Sequence, residues 1–217
     1  MITYSLWKFV HPIQFVILFT FFFAIVSLRF KIKNHQFFIT IISLSLFTEI
    51  ITNILLIKNI DISLLYSVMF IVHNALWLFF ISNKFFKNKL TIIIPAFYII
   101  ICIINLFFVE GIKVLNYYSF IVGALIYCII FLKLSYSKIK NEDFEYLKST
   151  SYLFLLAPVF FFLGFSFLLA FRNNSLLAYK PFLNFELYDI VTNFSNYIYY
   201  GILILYIIKE KRAVNEI

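Results

Sequence analysis

Charged residues are scarce in this chain. Lys, Arg, Asp and Glu make up 13% of its 217 residues, against about 25% in a soluble domain. That deficit excludes a water-soluble fold, and the 64% hydrophobic content and mean hydropathy of +0.98 say what replaces it. No stretch is long and polar enough for a second domain, so residues 1–217 are expected to form one domain. No kinase, nucleotide-binding or nucleic-acid module has room to fit. Cysteine is nearly absent: Cys102 and Cys128 both fall in apolar runs, with no CxxC or zinc spacing. They read as small buried hydrophobes. The opening MITYSLWKFVHP lacks the basic start and small-residue cleavage site of a signal peptide, so the first apolar segment is expected to stay. There is no internal repeat and no GxxxG.

What is present is a set of seven apolar segments: Val10–Leu28, Phe37–Ile57, Ser63–Ser82, Leu90–Val109, Leu115–Leu134, Ser149–Phe171 and Leu187–Ile208. Each is long enough to cross a hydrocarbon core of about 30 Å at about 1.5 Å per residue. The runs are continuously apolar rather than alternating, which argues against transmembrane strands. The expected fold is all-α, an integral membrane bundle of seven transmembrane helices. Ser149 and Thr150 stand where the sixth helix needs an N-cap, and Pro158 inside it predicts a kink. Gly164 and Ser166 are small enough to let a neighbouring helix approach.

The formal charge of +8 is unevenly placed. The first, third and fifth gaps and the tail hold thirteen Lys and Arg, including Arg29, Lys84, Lys87, Lys138, Lys209 and Arg212. The N-terminus and the other gaps hold five: Lys8, Lys58, Lys113, Arg172 and Lys180. By the positive-inside rule the N-terminus lies outside and the C-terminus in the cytoplasm, giving a multi-pass protein of the inner (cytoplasmic) membrane. Tyr4, Trp7, Tyr117, Tyr118, Tyr179 and Tyr188 then fall near outer ends, as an interfacial aromatic belt would.

Embedded polar residues mark the candidate site. Glu49 lies deep in the second segment, where a carboxyl costs roughly 2.5–3.5 kcal/mol on insertion scales. It sits roughly 12 Å below the outer end by helix rise. Asn53 is one turn higher on the same face, Ser45 one turn lower and Thr52 alongside. The third segment carries His73 and Asn74, with Tyr66 and Trp77 on the His73 face. In the seventh, Asp189, Asn193, Asn196 and Tyr200 follow at helical spacing. Nearly all these groups lie in the outer half, which predicts a polar pocket opening outward. Glu49, Asn53, His73, Asn74, Asn193, Asn196 and Tyr200 are its expected ligand-binding residues. Asn105 reads as a helix-packing hydrogen bonder, His11 and Gln14 as interfacial, and His35 as solvated in a cytoplasmic gap.

Several chemistries are excluded or weakened. A retinal protein needs a lysine in the middle of its last helix, and here none precedes Lys209. A three-histidine zinc site is out, because the chain has three His in all and His35 falls on the wrong side. A set of His73, Glu49 and Asp189 is the only metal alternative, and no metal or cofactor is expected. A proton path would need polar residues continuing to the cytoplasm, and none do.

As a whole, the chain resembles the small uncharacterised seven-helix membrane proteins of Bacteroidota. The resemblance rests on a Glu in the second helix (SLFTEIITNILL) and an aromatic, polar third helix (SVMFIVHNALWLFF). It rests too on an Asn- and Tyr-rich last helix with a short basic tail (DIVTNFSNYIYYGILILYIIKEKR). It implies the seven-helix fold and brings no activity with it. The leading expectation is a non-enzymatic sensor or binding module for a small molecule or lipid headgroup. Membrane lipids and a signalling or complex partner protein are the expected partners, and nucleic acid is not. The alternatives are a lipid-active enzyme of hydrolase type, with Glu49 and His73 as its acid–base pair, and a structural component of a membrane complex.

Overall fold

A computed structural model describes residues 11–86, 88–173, 175–181 and 185–215, with only the helical backbone for 213–215. Tyr4, Trp7, Lys8, Val10 and Lys87 therefore lie outside the described residues. The elements are helices: α1 Pro12–Ser27, α2 Lys33–Ile57, α3 Ser63–Phe85, α4 Leu90–Ile104, α5 Tyr117–Lys140, α6 Thr150–Ala170 and α7 Leu187–Asn215. A π-helical turn, Asn105–Val109, continues α4, and a short helix, Phe144–Lys148, bridges α5 and α6. Six helices are long and apolar enough to cross a membrane: α2, α3, α4 with its π-helical turn, α5, α6 and α7. This is the architecture of a multi-pass membrane bundle. The described part of α1 has 16 residues, about 24 Å by helix rise, and is shorter than the rest.

Local chemistry explains the helix ends. Pro12 opens α1, where its missing N–H costs nothing. Ser149 caps α6 as expected, its Oγ accepting from Tyr152 N at 3.2 Å. Two helices stop by turning one residue left-handed. Asn59 (φ 54°) and Glu142 (φ 56°) follow α2 and α5. In each case the next N–H reaches back into the last turn: Ile60 N to Leu55 O at 2.9 Å, and Asp143 N to Lys138 O at 2.9 Å. α2, α5 and α7 run past their apolar segments into Lys33, Lys140 and Asn215. Long charged side chains allow this because their heads can reach water while the stems stay apolar.

Neighbouring helices pack in a closed ring: α1 on α2, α2 on α3, α3 on α5, α5 on α6, α6 on α7 and α7 back on α1, with α4 seated outside against α3 and α5. The core is aromatic. Trp77 packs on Phe154 with ring centroids 4.9 Å apart, and Phe154 stacks on Tyr206 at 4.8 Å. Phe and Ile side chains elsewhere, such as Phe15, Phe97 and Phe108, are exposed at the outside of the bundle. α6 approaches α7 closely at Gly164, where an added Cβ would stand 1.8 Å from Ser195 Oγ. α6 continues helical through Pro158. Cys102 and Cys128 are free and buried.

Candidate functional site

The start of α1, the end of α2 and the start of α3 meet at one end of the bundle, and the polar cluster forms there. Gln14 Nε2 donates to Glu49 Oε2 at 2.8 Å and to Asn53 Oδ1 at 3.2 Å. Asn53 Nδ2 returns a bond to Gln14 Oε1 at 3.1 Å. Tyr66 reaches across from α3, its hydroxyl 3.4 Å from Glu49 Oε1. Tyr200 of α7 comes in beside Ser45, one turn from Glu49 on α2. Three helices thus meet at one carboxylate, and a fourth comes within a turn of it. Gln14, Glu49, Asn53 and Tyr66 are half-buried, whereas Tyr200 is buried. The cluster is therefore only partly covered by protein. Among the described residues no ion pair includes Glu49: the three that form involve His35, Lys138 and Lys148.

The other expected site residues are distributed differently. His73 is fully buried, about 10 Å along α3 from Tyr66 by helix rise. Its Nε2 accepts from Trp77 Nε1 at 3.3 Å and lies 3.5 Å from the Tyr199 hydroxyl. Phe161 and Phe162 close over the imidazole. Because the indole N–H can only donate, this pairing places the imidazole proton on Nδ1, which has no partner among the described residues. No hydrogen bond among the described residues joins His73 to Glu49. Asn74 faces the other way, donating to Tyr98 of α4 at 3.1 Å and to the Phe120 carbonyl of α5 at 3.3 Å. Asn196 bonds its own helix at Thr192 O, and Asn193 and Asp189 are exposed. The stripe on α7 thus brings Tyr200, not its whole length, to Ser45, one turn from Glu49.

Two expectations need correction. His35 is not solvated: it is 1% exposed, with Nε2 3.0 Å from Glu210 Oε2 and Nδ1 accepting from Arg29 N at 3.1 Å. The long last helix carries Glu210 back over the start of α2, which a gap-by-gap reading cannot foresee. Gln14 is not merely interfacial, since it is the hub that joins Glu49 to Asn53.

A second polar knot lies at the same end, between α3, α4 and α5. Asn105 Nδ2, on the π-helical turn, lies within hydrogen-bond reach of Glu110, Asn116 and Ser119 and can donate to two of them at a time. Asn116 N donates to Ser67 Oγ at 2.9 Å, and its Nδ2 to the Cys102 carbonyl at 3.3 Å. This agrees with a packing role for Asn105. Glu110, Asn116 and Ser119 sit at segment ends, where polarity is ordinary, so nothing in the sequence marked them. Among the described residues no cluster of His, Cys, Asp and Glu could hold a metal. Compared with protein-family models, curated proteins and solved structures, the chain matches none.

Proposed function

We propose that the chain is a seven-span binding module or sensor of the inner membrane, N-terminus outside and C-terminus cytoplasmic. Its site is the Glu49 cluster, open to the extracytoplasmic side for a small molecule or lipid headgroup. One observation carries the reading: a carboxylate inside a membrane-length helix, half-buried, reached by side chains from two other helices and met by no cation among the described residues. An ionisable group at such a position is costly and is seldom kept without a task. The charge distribution supports the orientation, with thirteen of eighteen Lys and Arg on one set of gaps. α1 is the seventh span in this reading. Short connections leave no output domain, so a sensor would act through a partner protein.

Two measurements test this. A cysteine placed at Lys209 should resist membrane-impermeant reagents in intact cells, and labelling there overturns the orientation. Molecules retained by the purified protein should be depleted in Asn53→Leu and Tyr66→Phe, read by native mass spectrometry. Equal retention in these variants and the wild type removes the site.

A further inference from the structure

The surroundings of Glu49 say more about what binds than that something binds. Its oxygens are met by donors, Gln14 Nε2 at Oε2 and the Tyr66 hydroxyl at Oε1. Both contacts suit the accepting oxygens of a carboxyl group. The amide orientation of Gln14 is held in turn by its reciprocal pair with Asn53.

Among the described residues no cation forms an ion pair with Glu49. Arg172 belongs to the same end but stacks on Tyr117, its guanidinium carbon 3.8 Å from the ring centroid. Lys58 lies nine residues further along α2, about 13 Å by helix rise. A poorly solvated charge is stabilised by an opposite charge. A divalent metal would want six or more oxygen ligands, and here the oxygens of Gln14 and Asn53 are already engaged with each other. An ammonium group asks less: a few acceptors for its N–H bonds and an aromatic neighbour for its charge. Glu49 supplies the acceptors, and Tyr66 brings its phenol to Glu49 Oε1.

We propose that the Glu49 cluster is a binding site for an organic ammonium group, carried either on an ethanolamine-headgroup lipid or on a free amine. The proposal rests on the binding-module reading and names the ligand class of that same site. The half-exposure of Gln14, Glu49 and Asn53 gives the group its way in.

The test is isothermal titration of the full-length protein in detergent with three probes. These are dihexanoylphosphatidylethanolamine, propylammonium chloride and, as an anionic control, dihexanoylphosphatidylglycerol. Glu49→Gln keeps the hydrogen-bonding shape and removes the charge, and its helix content and melting temperature are compared with wild type. At least one amine probe should bind wild type and lose tenfold or more in Glu49→Gln, while the control does not bind. The lipid binding alone assigns a headgroup, and propylammonium binding alone assigns a soluble amine. Amine binding unchanged in Glu49→Gln but lost in Asn53→Leu overturns the ammonium assignment and leaves the site standing. Preference for the anionic control, or no amine binding to wild type, also overturns it. Lys8→Ala separates an internal cation from an external one. Unchanged amine affinity supports the proposal, and a tenfold gain means that Lys8 is itself the occupant and overturns it.

Discussion

His35 Nε2 lies 3.0 Å from Glu210 Oε2, with the imidazole 1% exposed. This pair ties the first turn of α2 to the distal part of α7. The same two helices meet again near their middles, where Tyr200 lies beside Ser45, one turn from Glu49. Glu49 and His35 are fourteen residues apart on α2, about 21 Å by helix rise. A rotation or slide of α7 against α2 would disturb both contacts.

Removing the imidazole should therefore loosen the C-terminal half of α7. His35→Ala is expected to cost about 1.5–3 kcal/mol, the range for a hydrogen bond to a charged group. Glu210→Gln, which keeps a polar partner, should cost less. Denaturant unfolding in detergent reads the stability, and hydrogen exchange along α7 reads the location. Unchanged exchange protection in His35→Ala would show that the pair does not hold the helix.

Gly164 sets the α6–α7 distance. A Cβ there would stand 1.8 Å from Ser195 Oγ and 2.7 Å from Ser195 Cβ, so Gly164→Ala should destabilise by about 1–3 kcal/mol through overpacking. Ser195→Gly removes both clashing atoms, and the double variant should recover most of the loss. A double-mutant cycle measures that coupling. Additive losses would mean that the helices do not meet at these residues.

Glu142 holds a left-handed conformation, φ 56°, at the end of α5. An L-residue with a side chain pays roughly 1–2 kcal/mol there, and glycine pays little. Glu142→Gly should raise the melting temperature without changing any ligand response. A lowered one would show that the Glu142 side chain contributes more than its backbone costs.

Asp143 lies outside the membrane-spanning helices. Its hydrogen bond to Lys138, 2.8 Å away, and its acceptance of Tyr146 N hold its pKa below the ordinary carboxylate value. A depressed carboxylate pKa adds stability above the unfolded value, and that stability is lost as pH falls through the folded one. Wild type should lose a small increment of stability on acidification that Asp143→Asn lacks. Parallel melting curves at neutral and acid pH compare the two, and identical pH profiles would remove Asp143 from the account.

Seven apolar segments, the cap at Ser149 and the burial of both cysteines were legible in the sequence. So was the oddity of Glu49. These depend on run length, cap chemistry and side-chain polarity, which are local properties. The His73–Trp77 contact was legible too, because residues four apart share a helix face. The partners of Glu49 were not. Gln14 is thirty-five residues away and its helix end could have been turned to lipid or water. A membrane-spanning helix is apolar on all sides, so no amphipathic stripe announces which face is buried. The rotation of each helix about its axis is then set by packing alone. That rotation turned Asn74 toward Tyr98 while its neighbour His73 entered the aromatic core, and it left Asn193 exposed while Tyr200 reached Ser45, one turn from Glu49. His35 and Glu210, 175 positions apart, met only because α7 runs on beyond its apolar segment to the level of α2's first turn. The sequence by itself determined that this is a helical membrane bundle with a carboxylate inside it. The tertiary structure decided which side chains surround that carboxylate, because helix rotation and helix neighbours are nonlocal properties of the packed bundle.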